Sequence, residues 1–355
     1  MNEKILVAMS GGVDSAAAAL LIKQSGAETA GITMKLWSPD ERVTDTDSGI
    51  TNSDIEDAKK IAAQLEIPHY ITSLGDSFRR CVIDSFISEY KSGATPNPCV
   101  ECNRCIKFGK LLEVAASMGY DKLATGHYAR IEKTPSGRFV IKKAADTAKD
   151  QSYVLWSLTQ EALSRVILPL GDYKKSEIRE MASQYCLANA HKSDSQDICF
   201  IPDGDYAGFI CRATGEDFPA GNFVDTEGNI LGAHGGLIKY TIGQRKGLGI
   251  AVGRPIFVKA KDPISNTVTL CDDAELYSCT LTASRINFIA CDDMYTPTKL
   301  QAKIRYKHDA AAATVIQTSP DTFTLTFDEP QRAIAKGQSV VLYDGDTLVG
   351  GGVID

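Results

Sequence analysis

Apolar positions fall into two regimes along the chain. Over the first 200 residues short apolar runs alternate with longer segments of helical periodicity. Residues 5–9 read as a strand, followed by a glycine turn and an alanine-rich helix from residue 16. Residues 29–37 and 68–74 read as the second and third strands, and residues 38–52 as a polar, acidic surface loop. Between them Ile55, Ala58, Ile61, Ala62 and Leu65 recur at helical spacing, with Ser53 as N-cap and Glu56 completing a capping box. A helix over 76–90, a strand over 122–126, a hairpin formed by 129–132 and 138–142 around Pro135, Ser136 and Gly137, and an amphipathic helix over 174–184 follow. Such alternation predicts a parallel sheet covered by helices on both faces, with ligands at the carboxyl ends of its strands.

Beyond residue 203 the regime changes. One short helix, 206–211, precedes strand and turn signals such as Glu227, Gly228 and Asn229. From residue 279 onward five or six alternating strands recur, among them 314–318, 322–327 and 339–343, which predicts a small antiparallel barrel. The expected fold class is α/β, with boundaries at 1–203, 204–276 and 277–355.

Composition narrows the class of protein. The 355 residues suffice for two or three cores, and 43% hydrophobic with 23% charged residues is typical of a soluble globular chain. No apolar run approaches the roughly 20 residues of a membrane span, and the first run is too short for a signal peptide, so a cytoplasmic location is expected. Ten cysteines are too few for a disulfide scaffold at this length, and clustered thiols then point to catalysis or metal binding. The net charge of -7 argues against indiscriminate nucleic-acid binding. Local basic surfaces nonetheless occur: Lys239, Arg245, Lys246, Arg254, Lys259 and Lys261 lie in a stretch without acids, and Lys299, Lys303, Arg305, Lys307 and His308 cluster further on. Either set suits a phosphate backbone or a solvated face.

Three places carry candidate chemistry. The first is SGGVDS, Ser10 to Ser15, between strand and helix. Glycines there let an anion approach backbone N–H groups at a helix N-terminus. Neither the Walker lysine nor GxGxxG is present. The second is ATPNPCVECNRCIKF, where Cys99, Cys102 and Cys105 recur every third residue and Pro96 and Pro98 oppose an ordinary helix. Buried thiols, reactive thiols and cluster ligands all remain open, but a zinc knuckle lacks a fourth ligand. The third is SDSQDICF, containing Cys199.

SGGVDS resembles the pyrophosphatase loop (PP-loop) of enzymes that split ATP into AMP and pyrophosphate. Taken with TPNPC..CN..IKF, ATGHYAR, KDQSY, SQDICF, YTIGQRKGLGI and GQSVVLYDGD..VGGG, in that order over nearly the whole chain, the sequence resembles the MnmA family of tRNA-specific 2-thiouridylases. The resemblance implies a Rossmann-like PP-loop domain, a small central domain and a C-terminal β-barrel, the latter two helping to hold tRNA. It implies ATP-dependent 2-thiolation of the wobble uridine: the 2-carbonyl oxygen is adenylated, with Mg2+ steadying the phosphates, and sulfur displaces AMP. Carried over by position, Ala8, Met9, Ser10, Gly11, Gly12, Val13, Asp14, Ser15, Met34 and Gly126 bind ATP. Asn97, Pro98 and Cys99 face the target base, and His127, Lys149, Asp150, Gln151, Arg305, Tyr306 and Gln338 touch tRNA. Cys199 carries a persulfide from a sulfur-relay protein or cysteine desulfurase, and Cys102 is the nucleophile that releases or transfers sulfur. Arg104, Lys107 and His127 are the neighbours able to favour a thiolate.

Many relatives have aspartate where this chain has Cys99, and Cys105 is not a general family feature. Cys99, Cys102 and Cys199 therefore also suit three-thiolate ligation of a [4Fe-4S] cluster. Two further alternatives are a PP-loop ligase acting on a small molecule, which has no need of the thiols, and a non-catalytic tRNA- or metal-binding protein, which leaves SGGVDS unexplained.

Overall fold

The computed structural model describes residues 3–36, 52–187, 198–250 and 252–355. Residues 38–51 of the expected acidic loop, Trp37 and the 193–197 part of SDSQDICF lie outside the described residues, and Asn52, the last residue of that expected loop, starts a helix instead.

The first unit is built on a parallel sheet of β1 (Lys4–Ala8), β2 (Glu28–Lys35), β3 (His69–Ser73), β4 (Lys122–Ala124) and, after the hairpin β5 (Arg130–Lys133) and β6 (Phe139–Lys142), β7 (Val166–Ile167). Its order is β3-β2-β1-β4-β7. Strand alternation splits β1 between two cores: Leu6 packs with Ile32, Phe78, Ile106 and Leu123 on one face, whereas Ile5 and Val7 pack with Ala16, Ala19 and Ile61 on the other. Ala16 to Ala19 are all fully buried, so the small side chains of the helix Val13–Gln24 let it lie close on the sheet.

Several boundaries differ from expectation. The helix Asn52–Gln64 starts one residue before Ser53, the expected N-cap, and Glu56 pairs with Lys59 at 2.6 Å. The segment with prolines is helical after all: Pro98–Glu101 forms one turn with Pro98 in its first position, where a missing N–H costs nothing, and Cys102–Lys110 continues as a π-helix.

A four-stranded sheet of β8 (Gly221–Val224), β9 (Ile230–His234), β10 (Phe257–Asp262) and β11 (Thr267–Cys271) follows, in the order β10-β11-β8-β9. Then β12 (Tyr277–Phe288), β13 (Thr298–Lys303), β14 (Ala311–Ser319), β15 (Thr322–Arg332), β16 (Ser339–Asp344) and β17 (Thr347–Ile354) form a six-stranded antiparallel barrel, closed by the pairing of β12 with β17. Leu281, Val315, Phe323, Leu325, Val340 and Leu342 fill it. The hairpin β5–β6 adds to the outside of β17 through Ile141 and Leu348, so the first unit shares a sheet with the barrel. Tyr153 Oη donates to the Ser339 carbonyl at 2.8 Å and Trp156 Nε1 to Ser339 Oγ at 3.0 Å, fixing the two together.

Candidate active site

The glycine loop sits at the carboxyl end of β1. Gly11 has φ +71°, and a side chain there would strike the Asp54 carbonyl. No side chain caps the helix Val13–Gln24, which leaves its first-turn N–H groups facing an incoming anion. Ser15 Oγ accepts from Ser10 N–H at 3.1 Å and donates to the Gly12 carbonyl at 2.9 Å, so the two serines brace the loop. Gly126, just past β4, abuts this turn: a Cβ at that position would lie 2.9 Å from the Asp14 carbonyl carbon. Met34 is buried at the carboxyl end of β2. Ala8 to Ser15 and Gly126 thus come together, and Met34 ends the neighbouring strand.

The thiols form the second half of the site. Asn97 caps the turn that begins at Pro98, accepting from Cys99 N–H at 3.1 Å. Cys102 is buried, whereas Cys99 and Cys199 remain exposed, and all ten cysteines are free. Burial, with smaller contributions from the charges of Cys199, Cys99 and Cys105, pushes the Cys102 thiol up to about 12. Cys199 is pushed up to about 11 by the protein surrounding it and by Cys99. Surface reaches Cys99 and Cys199, yet enough of the protein encloses both to disfavour their thiolates. Distant stretches of sequence therefore place Cys99, Cys102 and Cys199 within electrostatic reach of one another.

Of the three basic neighbours expected to favour thiolates, Lys107 does so. It lowers Cys99, Cys102 and Cys199 alike. Arg104 is held by Glu101 at 2.6 Å and acts instead on Cys105. His127 is buried, and desolvation together with Lys107 drives its pKa well down. Because an ammonium only donates, Lys107 Nζ, 3.4 Å from His127 Nε2, makes that nitrogen the acceptor, and Nδ1–H donates to Thr125 Oγ1 at 2.7 Å. The π-helix explains why Lys107 faces the thiols. At 3.6 residues per turn, five residues would place Lys107 about 140° around the axis from Cys102. The i to i+5 register, seen where Leu111 N–H bonds the Ile106 carbonyl, brings that pair toward one side.

The barrel supplies the rim. Gln338 Nε2 donates to the Thr95 carbonyl at 2.6 Å, holding the loop before the thiols. Tyr306 Oη donates to the Asp150 carbonyl at 3.1 Å, its ring meets Tyr153 edge to face, and burial, then the charges of Asp150 and Cys99, raise its pKa. Arg305 donates to the Arg332 carbonyl. Gln151 exchanges bonds with Tyr128, and Asp150 caps Ser152 and Ala144, so the 149–151 segment joins barrel to loop. The two basic stretches are less cationic than their sequence suggests. Arg254 pairs with Asp272, Lys259 with Glu275 and Lys299 with Asp328, whereas Arg245 and Lys246 are exposed.

Sequence reasoning missed Lys175 and Tyr128. The buried Lys175 Nζ lies 2.7 Å from both Asp14 carboxylate oxygens, and Tyr128 Oη donates to Asp14 Oδ1 at 2.7 Å. Lys175 had given only the signal of a charge on an otherwise amphipathic helix.

Among the described residues no group of three or more His, Cys, Asp or Glu side chains is placed to hold a metal ion. Asp14, the loop carboxylate, is engaged by Lys175 and Tyr128. A magnesium ion arriving with ATP phosphates needs few protein ligands, so the loop remains compatible with one.

The parallel sheet with its glycine loop, followed by two β-rich units, defines a class that the family comparisons describe in three parts. A tRNA methyl transferase HUP domain matches residues 3–203, a tRNA methyl transferase PRC-barrel domain residues 207–272, and an aminomethyltransferase β-barrel domain residues 278–354. A Clostridioides difficile (strain 630) protein named tRNA-specific 2-thiouridylase MnmA is 48% identical over 356 residues, spanning 100% of this chain and 99% of that one. Namesakes from Clostridium acetobutylicum, 48% identical over 100% of both chains, and Lachnoclostridium phytofermentans, 46% identical over 99% of both, agree. The chain belongs to the MnmA family of tRNA-specific 2-thiouridylases. No helix among the described residues is long and apolar enough to cross a membrane.

Proposed function

We propose that this protein uses ATP to replace the 2-oxygen of the tRNA wobble uridine with sulfur, and that its units divide at 1–203, 204–276 and 277–355. The observation that carries the reading is the convergence of Cys99, Cys102 and Cys199 on one cation, Lys107, with Tyr306 of the barrel beside Cys99. A persulfide on Cys199 comes from a sulfur-relay protein or cysteine desulfurase, and its exposed thiol suits that delivery.

The uracil 2-oxygen is a poor leaving group. Its attack on the α-phosphorus of ATP expels pyrophosphate and converts it to an adenylate, with the loop N–H groups receiving phosphate charge. The terminal sulfur of Cys199-S-SH then attacks C2, its proton leaves to solvent, and AMP departs with the original oxygen. Cys102 as thiolate attacks Cys199 Sγ, breaking the S–S bond. The electrons of that bond return to the base as 2-thiouridine, and a Cys102–Cys199 disulfide forms. An external thiol reductant restores both cysteines. Lys107 favours each sulfur anion, and the neutral His127 holds Lys107 in place. Tyr306, 37% exposed, offers a ring on which a splayed base can stack. Asn97, Pro98 and Cys99 line the approach of that base, and Lys149 to Gln151, Arg305 and Gln338 surround it with tRNA-facing polar groups. The buried His127 acts on tRNA through Lys107.

The reading is tested by incubating the protein with ATP, Mg2+, unmodified tRNA and a persulfide source. Mass spectrometry should find 2-thiouridine, with AMP and pyrophosphate formed in equal amounts. ATP split to ADP and phosphate, or thiolation without AMP, refutes it.

A further inference from the structure

Lys175 occupies a place that two general preferences oppose. It is buried, with 6% of its surface exposed, and it begins the helix Lys175–Gln184, the end at which the helix dipole disfavours a cation. Its ammonium is fully used nonetheless: both Asp14 oxygens lie 2.7 Å away, and the Tyr128 ring faces it at 5.8 Å. Asp14 stands in the first turn of the helix Val13–Gln24, whose N-terminus is the anion site of the glycine loop. Without Lys175 the loop would present a carboxylate to the most highly charged part of ATP.

We propose that Lys175 is the counter-charge that lets the loop admit a triphosphate, by neutralising Asp14 and holding its carboxylate against Tyr128. The pair leaves Asp14 bonded to Tyr128, whose backbone exchanges hydrogen bonds with Gln151, so the carboxylate tethers the loop without opposing ATP. Lys175 is a positioning residue in this scheme and touches no reacting atom.

This inference rests on the ATP-dependent reading above, and the test separates the two. Binding of a non-hydrolysable ATP analogue with Mg2+ is measured by titration calorimetry for wild type, Lys175→Met, Lys175→Arg and the double variant Asp14→Asn/Lys175→Met, each checked for native near-UV circular dichroism. Lys175→Met should bind at least tenfold more weakly, Lys175→Arg within threefold of wild type, and the double variant should regain most of the loss. In turnover, Lys175→Met should raise the KM for ATP more than it lowers kcat. Wild-type affinity in Lys175→Met, or a double variant as weak as the single one, overturns the proposal. If Lys175→Met does not fold, Lys175→Gln decides: it should bind the analogue at least tenfold more weakly than wild type, and wild-type affinity overturns the counter-charge role. Failure of the wild type itself to bind the analogue defeats the ATP reading instead.

Discussion

Lys107→Met keeps the length of the side chain and removes its charge. Lys107 favours the anionic forms of Cys99, Cys102 and Cys199, while burial opposes them. An opposite charge within about 4–6 Å lowers an acid by about one to three units. Lys107 is half-buried and so partly solvated, so the low end applies, and removing its charge should leave about tenfold less thiolate at fixed pH. Iodoacetamide reacts with the thiolate, so well below the pKa its rate follows the thiolate fraction. Cys199, pushed up to about 11, satisfies that condition at pH 8. Timed alkylation with quantitative peptide mass spectrometry should therefore show Cys199 and Cys99 reacting about tenfold more slowly in Lys107→Met, with Lys107→Arg close to wild type. Exposed Cys279 on the barrel serves as the internal control. Unchanged Cys199 and Cys99 rates, with an unchanged control, would refute the assignment of Lys107.

Three further outcomes are expected. Gly126→Ala places a methyl group against the Asp14 backbone and should weaken ATP binding at least tenfold by calorimetry, whereas unaltered affinity contradicts the observed contact. Burial holds the Cys102 thiol near 12 against about 9 in the unfolded chain, so its contribution to stability is complete below pH 9 and is lost as pH rises toward 12; Tm measured from pH 8 to 11 should fall less steeply in Cys102→Ala. His127 has the opposite sign, because its pKa lies well below 6.5 in the fold: its contribution is present above 6.5 and is lost as pH falls. The urea midpoint between pH 7 and 5 should accordingly drop less in His127→Gln than in wild type.

Local patterns were legible where local forces decide them. The strand, glycine turn and alanine helix around SGGVDS follow from apolar runs and small residues, and the barrel strands follow from alternation. The π-helix was not legible, because Pro96 and Pro98 argue against helix, and the wide register is set by tertiary packing of Ile106 and Phe108 in the core. Gly109 carried a faint signal: a side chain there would lie 2.9 Å from the Arg104 carbonyl, so glycine permits the wide turn. Lys175 could not be placed, since its partner Asp14 lies 161 positions away. The ion pairs of the basic stretches were hidden for a similar reason, as Asp272, Glu275 and Asp328 come from other strands and turns. The hairpin was readable as a hairpin, but its addition to β17 depends on a strand more than 200 residues later.

The claim that most of this account depends on is that sulfur leaves Cys199 through attack by Cys102. A single turnover with Cys199-persulfidated protein, ATP and tRNA in the absence of thiol reductant tests it, followed by acid quenching and non-reducing peptide mass spectrometry. The account predicts about one 2-thiouridine per protein and a Cys102–Cys199 disulfide in matching amount, with turnover resuming when a thiol is added. Repeated turnover without reductant, or thiolated tRNA alongside two unlinked cysteines, would contradict it.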